Sequence, residues 1–162
     1  VHCFTAPRAL TLRGGRVIAR PYLPGLPLAP ATLEGAPTDE AGARVAELVG
    51  SRSWRLAFDA SYEGALSVRI GSDSGLSITL EEGRLTVDLT GTRYPHGGRR
   101  VVTLEPGEAS RVEILHDRSI TEIYLGDGSR VFTTRTFLQG EGAGVTLSGA
   151  ASVTNVSAVR AD

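Results

Sequence analysis

Apolar and polar residues alternate along most of the chain beyond residue 53, with the period of two that a half-buried β-strand requires. In the segment SWRLAFDAS, the side chains of Trp54, Leu56 and Phe58 fall on one face, with polar or small residues between them. Other segments show the same alternation or a short apolar run. These segments are residues 65–72, 75–91, 99–106, 110–117, 119–125, 129–137 and 144–161. The pattern predicts eight to eleven short strands.

The first 30 residues differ from the rest in their turn and proline content. Gly14-Gly15 separates two strand-like runs and predicts a tight β-hairpin. Prolines then recur every third residue from Pro21 to Pro30, which favours an extended, poorly paired connector. Residues 39–50, DEAGARVAELVG, are the only plausible helix, and a short one; an irregular lead-in to the next strand is the alternative.

Short strands joined by glycine-rich turns predict an all-β fold. We expect a two-sheet antiparallel β-sandwich of the concanavalin-like jelly-roll type, because the strands do not alternate with helices as βαβ units do. No repeat of fixed period occurs in the sequence, so a propeller or solenoid is not expected for this segment. The predicted domains are an arm with a proline-rich linker over residues 1–30 and the sandwich over residues 31–162.

Composition excludes several classes of function. The 162 residues carry a formal net charge of −1, so we expect neither nucleic acid nor an anionic membrane as a partner. All 17 basic residues are arginine, which rules out a lysine nucleophile. The single cysteine, Cys3, allows no internal disulfide, and both a cytoplasmic and a secreted location stay open.

Neither a metal site nor a cofactor site is predicted. The three histidines, His2, His96 and His116, are far apart in sequence, whereas a zinc site needs at least three converging ligands. The segment YPHGGRR, residues 94–100, places two glycines beside two arginines, but no helix follows that could favour phosphate. A surface loop is the better interpretation.

Paired carboxylates are the candidates for glycosidase chemistry, because such enzymes need two of them facing each other. Asp117 and Glu122 are five residues apart, on opposite faces of one strand or at its two ends if the chain turns between them. We interpret Asp117 as a turn residue that accepts backbone N–H groups. Glu122 interrupts a set predicted to face inward, Ile120 and Tyr124, and we interpret it as a buried partner of an arginine such as Arg135. Glu81 with Glu113 or Glu122 is the pair to test for catalysis.

Exposed aromatic rings would indicate a carbohydrate-binding platform. Most of the nine aromatic residues fall in strand patterns and are expected in the core. Tyr62 and Tyr94 lie near loops and are the two candidates for ligand contact.

The segment VEILHDRSITEIYLGDGSRVFTTRTF, residues 112–137, resembles the carboxy-terminal β-sandwich of glycoside hydrolase family 32, which comprises invertases, sucrose-6-phosphate hydrolases, levanases and inulinases. The residues that match the family's motif include Asp117, Ser119, Glu122 and Gly128. Residues 6–21, APRALTLRGGRVIARP, are similar to the family's lead into the sandwich, and residues 75–91 are similar to its central hairpin. The likeness covers nearly the whole chain in order. Ala19 and Leu89 depart from it, where the family commonly has Gln and Arg.

The resemblance implies that catalysis lies elsewhere. In that family the nucleophile, the transition-state-stabilising aspartate and the acid/base lie in an amino-terminal five-bladed propeller whose motifs this sequence lacks. The implied role is therefore a non-catalytic module that stabilises the propeller of the same polypeptide, and homodimer contacts are a further expectation. The parent would cleave a terminal β-fructosyl bond of sucrose or a fructan by retaining double displacement. Arg8 and Arg20 flank the junction and are expected interdomain contacts. A stand-alone lectin-like binding module is the alternative.

Overall fold

The computed structural model describes residues 4–30, 36–50, 52–72, 75–139 and 143–161. Within these ranges the chain forms twelve strands, one α-helix and a 3₁₀ turn at Pro95–Gly97. The helix α1 spans Thr38–Leu48 and confirms the helix predicted over 39–50. The strands are β1 (Arg8–Arg13), β2 (Arg16–Pro21), β3 (Ala29–Pro30), β4 (Ala36–Pro37), β5 (Ser53–Ile70), β6 (Leu76–Glu81), β7 (Arg84–Asp88), β8 (Arg99–Thr103), β9 (Arg111–Asp117), β10 (Ile120–Leu125), β11 (Arg130–Arg135) and β12 (Val145–Arg160).

Two long strands connect the two layers of the sandwich. The first half of β5 pairs with β9, and its second half pairs with β6. One layer therefore runs in the order β11-β10-β9-β5 and the other in the order β5-β6-β7-β8, with every pairing antiparallel. Strand β12 pairs with β5 in both layers. The predicted antiparallel sandwich is confirmed.

The two strands predicted over 53–61 and 65–72 are one continuous strand in the structure. The register between β5 and β12 shifts at Gly149/Ala151 and again at Thr154/Ser157, and such bulges bend a strand without ending it. At the first shift, a side chain on Gly149 would place its Cβ 2.0 Å from the carbonyl oxygen of Ala65. Gly149 therefore permits the close approach at which the two strands cross between layers.

The core fills the space between the layers. Trp54, Leu56 and Phe58 of β5 are buried, as their alternation predicted, and Ile78 and Leu80 of β6 belong to the same cluster. Each large apolar side chain removed from water contributes roughly 1.5–3 kcal/mol to stability, so this cluster needs no disulfide. None of the described helices is long and apolar enough to span a bilayer.

Helix α1 packs against β12. Ala41, Val45 and, just beyond the helix, Val49 are fully buried at a spacing of four residues, which places them on one helical face. A Cβ on Gly42 would lie 3.0 Å from the carbonyl oxygen of Leu147, so glycine lets the helix approach the strand closely.

The hairpin of β1 and β2 forms a separate two-stranded sheet. Gly14 and Gly15 have φ angles of 55° and 76°, the left-handed values that a two-residue hairpin turn requires. The predicted Gly14-Gly15 hairpin is thus confirmed, and its contacts with the sandwich define the candidate functional site.

Candidate docking site of the arm

Glu122 anchors the arm to the sandwich. It lies in the middle of β10, opposite Leu115 of β9 and Thr133 of β11, and is 1% exposed. Its Oε2 accepts a hydrogen bond from the backbone N–H of Ala6 at 2.9 Å. Its Oε1 accepts one from the hydroxyl of Thr133 at 3.2 Å and forms an ion pair with the guanidinium of Arg8. Both carboxylate oxygens are therefore engaged in holding the chain together.

The guanidinium of Arg8 is held by three side chains at once. Besides Glu122, it donates to the Thr133 hydroxyl at 2.8 Å and to the Tyr124 hydroxyl at 3.2 Å. It also lies 5.6 Å from the centre of the Tyr124 ring. Burial raises the pKa of Tyr124 to about 12, so its hydroxyl keeps its proton at neutral pH. This cluster of one ion pair and two hydroxyl groups therefore fixes the position of the arm rather than transferring a proton.

Two expectations about β10 differ from the structure. The ion pair of Glu122 joins it to Arg8, whereas the sequence suggested Arg135, which lies opposite Ile120 in the register. The core-facing residues of β10 are Ile123 and Leu125, and not Ile120 and Tyr124 as predicted. The reason is that the arm covers the outer face of β10, so the alternation of apolar residues does not distinguish the two faces.

The turn between β10 and β11 holds the hairpin. The carboxylate of Asp127 accepts from Arg13 at 2.7 Å and from Arg20 at 3.5 Å, and its backbone oxygen accepts from Arg20 at 2.7 Å. The backbone N–H of Ala19 donates to the carbonyl of Gly128 at 2.9 Å. The motif glycine therefore lies directly against β2.

Gly128 cannot carry a side chain in this arrangement. Its φ is +99°, and a Cβ would lie 2.3 Å from the carbonyl oxygen of Ala19. The motif position therefore serves the contact between the turn and the hairpin. Arg8 and Arg20, the expected interdomain contacts, both bind the sandwich, and a contact with a further domain stays a prediction.

Glu108 adds a third acidic anchor at the same end of the molecule. Its carboxylate lies 3.7 Å from Arg16 of β2 and 3.2 Å from Arg130 of β11. A hydrogen bond from the backbone N–H of Glu105 lowers the pKa of Glu108, with further help from Arg130. The carboxylate is thus charged at neutral pH and attracts the hairpin arginine.

The remaining motif residues shape the β9–β10 turn. The carboxylate of Asp117 accepts a hydrogen bond from the hydroxyl of Ser53 at 2.7 Å, and its expected hydrogen bonds from backbone N–H groups stay a prediction. The carbonyl of Ser119 accepts the backbone N–H of Thr136 at 2.8 Å. Arg118 between them has a φ of +51°, which a tight turn imposes. Asp117 and Glu122 thus lie on different strands, one at a turn and one mid-strand.

A cavity of about 600 Å³ lies where the arm crosses this turn. The arm contributes Phe4 and Leu23 to its lining, and the sandwich contributes Trp54 and His116. The His116 and Trp54 rings stack with centroids 5.5 Å apart, and the His116 Nδ1 is 2.9 Å from the Thr121 hydroxyl. Burial lowers the pKa of His116 to about 4, so the ring is neutral at physiological pH.

The two candidate ligand-contact tyrosines have different environments. Tyr62 donates its hydroxyl to the carbonyl of Ala109 at 2.8 Å and packs against the core. Tyr94 is 47% exposed on the loop before β8, with its ring edge-on to Phe137 at 5.1 Å and His96 stacked beside it at 6.1 Å. Of the pair, Tyr94 has the surface that a ligand could contact.

The other candidate carboxylates are each paired with their own arginine. Glu81 pairs with Arg84 at 2.5 Å, and Glu113 pairs with Arg55 at 2.6 Å. Within the described ranges, no group of three or more His, Cys, Asp or Glu residues could hold a metal ion. His2 and Cys3 lie outside the described residues.

Sequence reasoning missed the largest part of this site. Arg13 and Asp127 were not singled out, nor were the exposed leucines of the hairpin, Leu10 and Leu12, which are 66% and 76% exposed. The signal was present in residues 8–13, RALTLR, where Leu10 and Leu12 alternate with a small and a polar residue between two arginines. It gave no indication of which face would meet the sandwich.

Comparison with known proteins supports the identification of the sandwich as a known type of domain. A family model described as the C terminal of glycosyl hydrolases family 32 matches residues 36–161. No curated protein matches the sequence significantly.

Solved structures share the fold. A sucrose-6-phosphate hydrolase from Lactobacillus gasseri superposes with a TM-score of 0.70 at 14% identity, over 95% of this chain and 33% of that one. A family 32 β-fructofuranosidase from Bombyx mori gives 0.63 at 19% identity, over 96% and 32%. An exo-inulinase from Aspergillus awamori gives 0.65 at 15% identity, over 93% and 33%. This chain therefore spans about a third of the length of the structures it resembles.

Proposed function

Because this chain belongs to the family of C-terminal domains of glycosyl hydrolases of family 32, we propose that it is the non-catalytic sandwich module of a longer β-fructofuranosidase. The preceding part of that polypeptide would carry the catalytic propeller. The substrate would be sucrose or a fructan, as the names of the structural relatives suggest. The module's role is to stabilise the catalytic domain through the arm, residues 1–30.

The environment of Glu122 is the observation that carries this proposal. A catalytic carboxylate must reach substrate, either to exchange a proton or to attack the sugar, whereas Glu122 is buried and uses both oxygens for Ala6, Arg8 and Thr133. The motif residue Gly128 is likewise used to seat β2. The matched motif therefore serves to hold the arm that leads towards the preceding domain.

Three carboxylates fasten the arm, which explains how the module would transmit stability. Glu122 binds Arg8, Asp127 binds Arg13 and Arg20, and Glu108 attracts Arg16. A domain attached to a rigidly held arm has less freedom than one attached to a loose linker. Loss of these ion pairs would thus give the preceding domain more freedom of movement without changing its active site.

The test is fructose release from sucrose and from inulin. We expect none from this chain alone and steady turnover from the longer polypeptide. Turnover by this chain that disappears in Glu81→Gln, Glu113→Gln or Glu122→Gln, with folding intact by circular dichroism, would contradict the proposal.

A glycan-binding module is the second candidate, because the exposed Tyr94 ring sits on a well-fastened loop. The Arg93 N–H donates to the carbonyl of Phe137 at 2.8 Å, and the buried Thr92 hydroxyl donates to the carbonyl of Leu89 at 2.7 Å. Titration calorimetry of this chain with inulin tests it. Binding that Tyr94→Ala removes would favour this second role, and the absence of heat would exclude it.

Homodimer formation also stays a prediction, to be tested by sedimentation.

A further inference from the structure

A cluster of aromatic and cationic side chains lies where the loop between β7 and β8 meets the end of β11. The Tyr94 ring is edge-on to the Phe137 ring, with the ring centroids 5.1 Å apart. The guanidinium of Arg93 lies 5.6 Å from the centre of the Tyr94 ring, and that of Arg135 lies 4.6 Å from the centre of the Phe137 ring. Arg93, Tyr94 and Arg135 are exposed. Two guanidiniums therefore lie over two neighbouring rings at the surface.

Backbone hydrogen bonds hold the loop that carries Arg93 and Tyr94. The N–H of Leu89 donates to the carbonyl of Gly98 at 2.9 Å, which closes the base of the loop. The N–H of Arg93 donates to the carbonyl of Phe137, so the loop is also joined to the end of β11. A ligand that binds here has little ordering of the loop to bring about, which favours affinity.

Positive charge is concentrated in the two segments that form the cluster. The whole chain carries a formal net charge of −1, yet residues 89–104 contain three arginines and no aspartate or glutamate. Residues 128–139 contain two arginines and likewise no acidic residue. Asp88, the acidic residue just before the loop, accepts hydrogen bonds from the backbone and hydroxyl of Thr90 at 2.9 and 2.6 Å. The cluster is therefore a positively charged surface on a chain that is slightly acidic overall.

The guanidinium of Arg93 is available to a ligand. Within the described ranges it forms neither an ion pair nor a hydrogen bond, and its one contact with a ring is that with Tyr94. Stacking on a ring leaves the N–H donors at the edge of a guanidinium unused, and these donors match the two oxygens of a carboxylate. A neutral sugar would instead need an open aromatic face, and here a guanidinium already lies over each ring. The arrangement thus favours an anionic ligand.

We propose that this cluster binds an acidic polysaccharide, one whose sugar rings carry carboxylate groups. The guanidinium of Arg93 would hold a carboxylate, and the exposed part of the Tyr94 ring would contact the apolar side of the adjoining sugar ring. A nucleic acid would require basic residues spread over a whole face of the domain. The site goes beyond the function proposed above, because it requires neither a preceding domain nor a neutral fructan such as inulin.

Titration calorimetry of this chain with alginate, a polymer of uronic acids, tests the proposal, and dextran is the uncharged counterpart. We expect alginate to bind with an affinity that falls as the salt concentration rises, because the attraction is between exposed charges. We expect no binding of dextran. The absence of alginate binding, or equal binding of both polymers, would overturn the proposal.

Two arginine variants separate the site from overall charge. Arg93→Gln should weaken alginate binding at least about fivefold, since it removes the charge-assisted contact to the carboxylate. Arg44→Gln removes the same charge from α1, where the exposed Arg44 is paired with Glu47 at 2.6 Å, and should leave the affinity unchanged. Equal weakening in the two variants would show that alginate responds only to net charge, and the proposal would be wrong.

The ring of Tyr94 is tested by a second pair of variants. Tyr94→Phe keeps the ring on which Arg93 stacks and should keep the affinity, whereas Tyr94→Ala should weaken binding as much as Arg93→Gln does. Unchanged circular dichroism of each variant shows that the fold is intact. If Tyr94→Ala binds alginate as the unsubstituted chain does, the cluster is not the binding site.

A single-stranded oligonucleotide separates acidic sugars from polyanions in general. At equal charge concentration it should bind more weakly than alginate, because its phosphates do not present the carboxylate on a sugar ring that the cluster fits. Equal or tighter binding would refute an acidic polysaccharide as the ligand. Alginate binding together with a longer polypeptide that releases no fructose would leave this site standing and refute the proposed function alone.

Discussion

A guanidinium nitrogen of Arg8 is ion-paired with Oε1 of Glu122, across 114 residues of sequence. The contact joins the first strand of the arm to the centre of the β11-β10-β9 layer. Because Glu122 is buried, its charge requires this partner, and the arm is consequently part of the folded structure rather than a loose extension.

Removing the charge of Glu122 should loosen the arm. In Glu122→Gln we expect a loss of about 2 kcal/mol in the free energy of unfolding, since Arg8 loses its ion pair while remaining partly buried. Urea unfolding followed by circular dichroism measures the change. Glu47→Gln is the control, because the exposed Glu47–Arg44 pair is solvated and should contribute less than about 0.5 kcal/mol. Equal losses in both variants would refute the anchoring role.

The close contact at Gly128 can be separated from its backbone conformation. Gly107 has a φ of +78° and open space where a Cβ would be, whereas Gly128 has a φ of +99° and the Ala19 carbonyl within 2.3 Å. Gly107→Ala should therefore cost only the conformational penalty of about 1 kcal/mol, and Gly128→Ala should cost at least about 1 kcal/mol more. Thermal unfolding of the two variants gives the comparison. The same loss in both would mean that the hairpin does not press on this turn.

His116 should make stability depend on pH in the acidic range. Burial lowers its folded-state pKa to about 4 from the usual 6.5, so the unfolded chain binds the proton more tightly. The resulting stability is fully present above pH 6.5 and is lost as the pH falls towards 4, with a limit of roughly 3 kcal/mol.

Comparison with His116→Gln isolates this contribution from that of the carboxylates. Urea unfolding of both proteins at pH 7 and pH 4.5 should show a steeper loss in the unsubstituted chain. Parallel losses in the two proteins would show that His116 titrates normally in the folded state.

The fold class could be predicted because half-buried strands leave a period of two in the sequence. Leu76, Ile78 and Leu80 show it clearly, and the structure pairs Ile78 with Val87 and Leu80 with Leu85 as the pattern of the hairpin suggests. Local rules also identified the Gly14-Gly15 turn and the helix near residues 39–50. These features depend on neighbours close in sequence, which is why they could be predicted from the sequence.

The candidate site depends on contacts between residues that are far apart in sequence, so it could not be predicted in the same way. On β10 both faces are covered, so Ile120 and Tyr124 look as apolar as the core residues Ile123 and Leu125. The partner of Glu122 lies in the arm, and nothing local distinguishes Arg8 from Arg135. The continuity of β5 likewise depends on its bulged pairing with β12.

The most direct test of the account is the size of the native polypeptide that contains this chain, measured by immunoblot with an antibody raised against residues 36–161. The chain has a mass of 17.0 kDa and spans 33% of the Lactobacillus gasseri structure. The proposed function predicts a band at about three times 17.0 kDa, with fructose-releasing activity in the same fraction. A single band near 17.0 kDa would contradict it and leave the sandwich to act by itself.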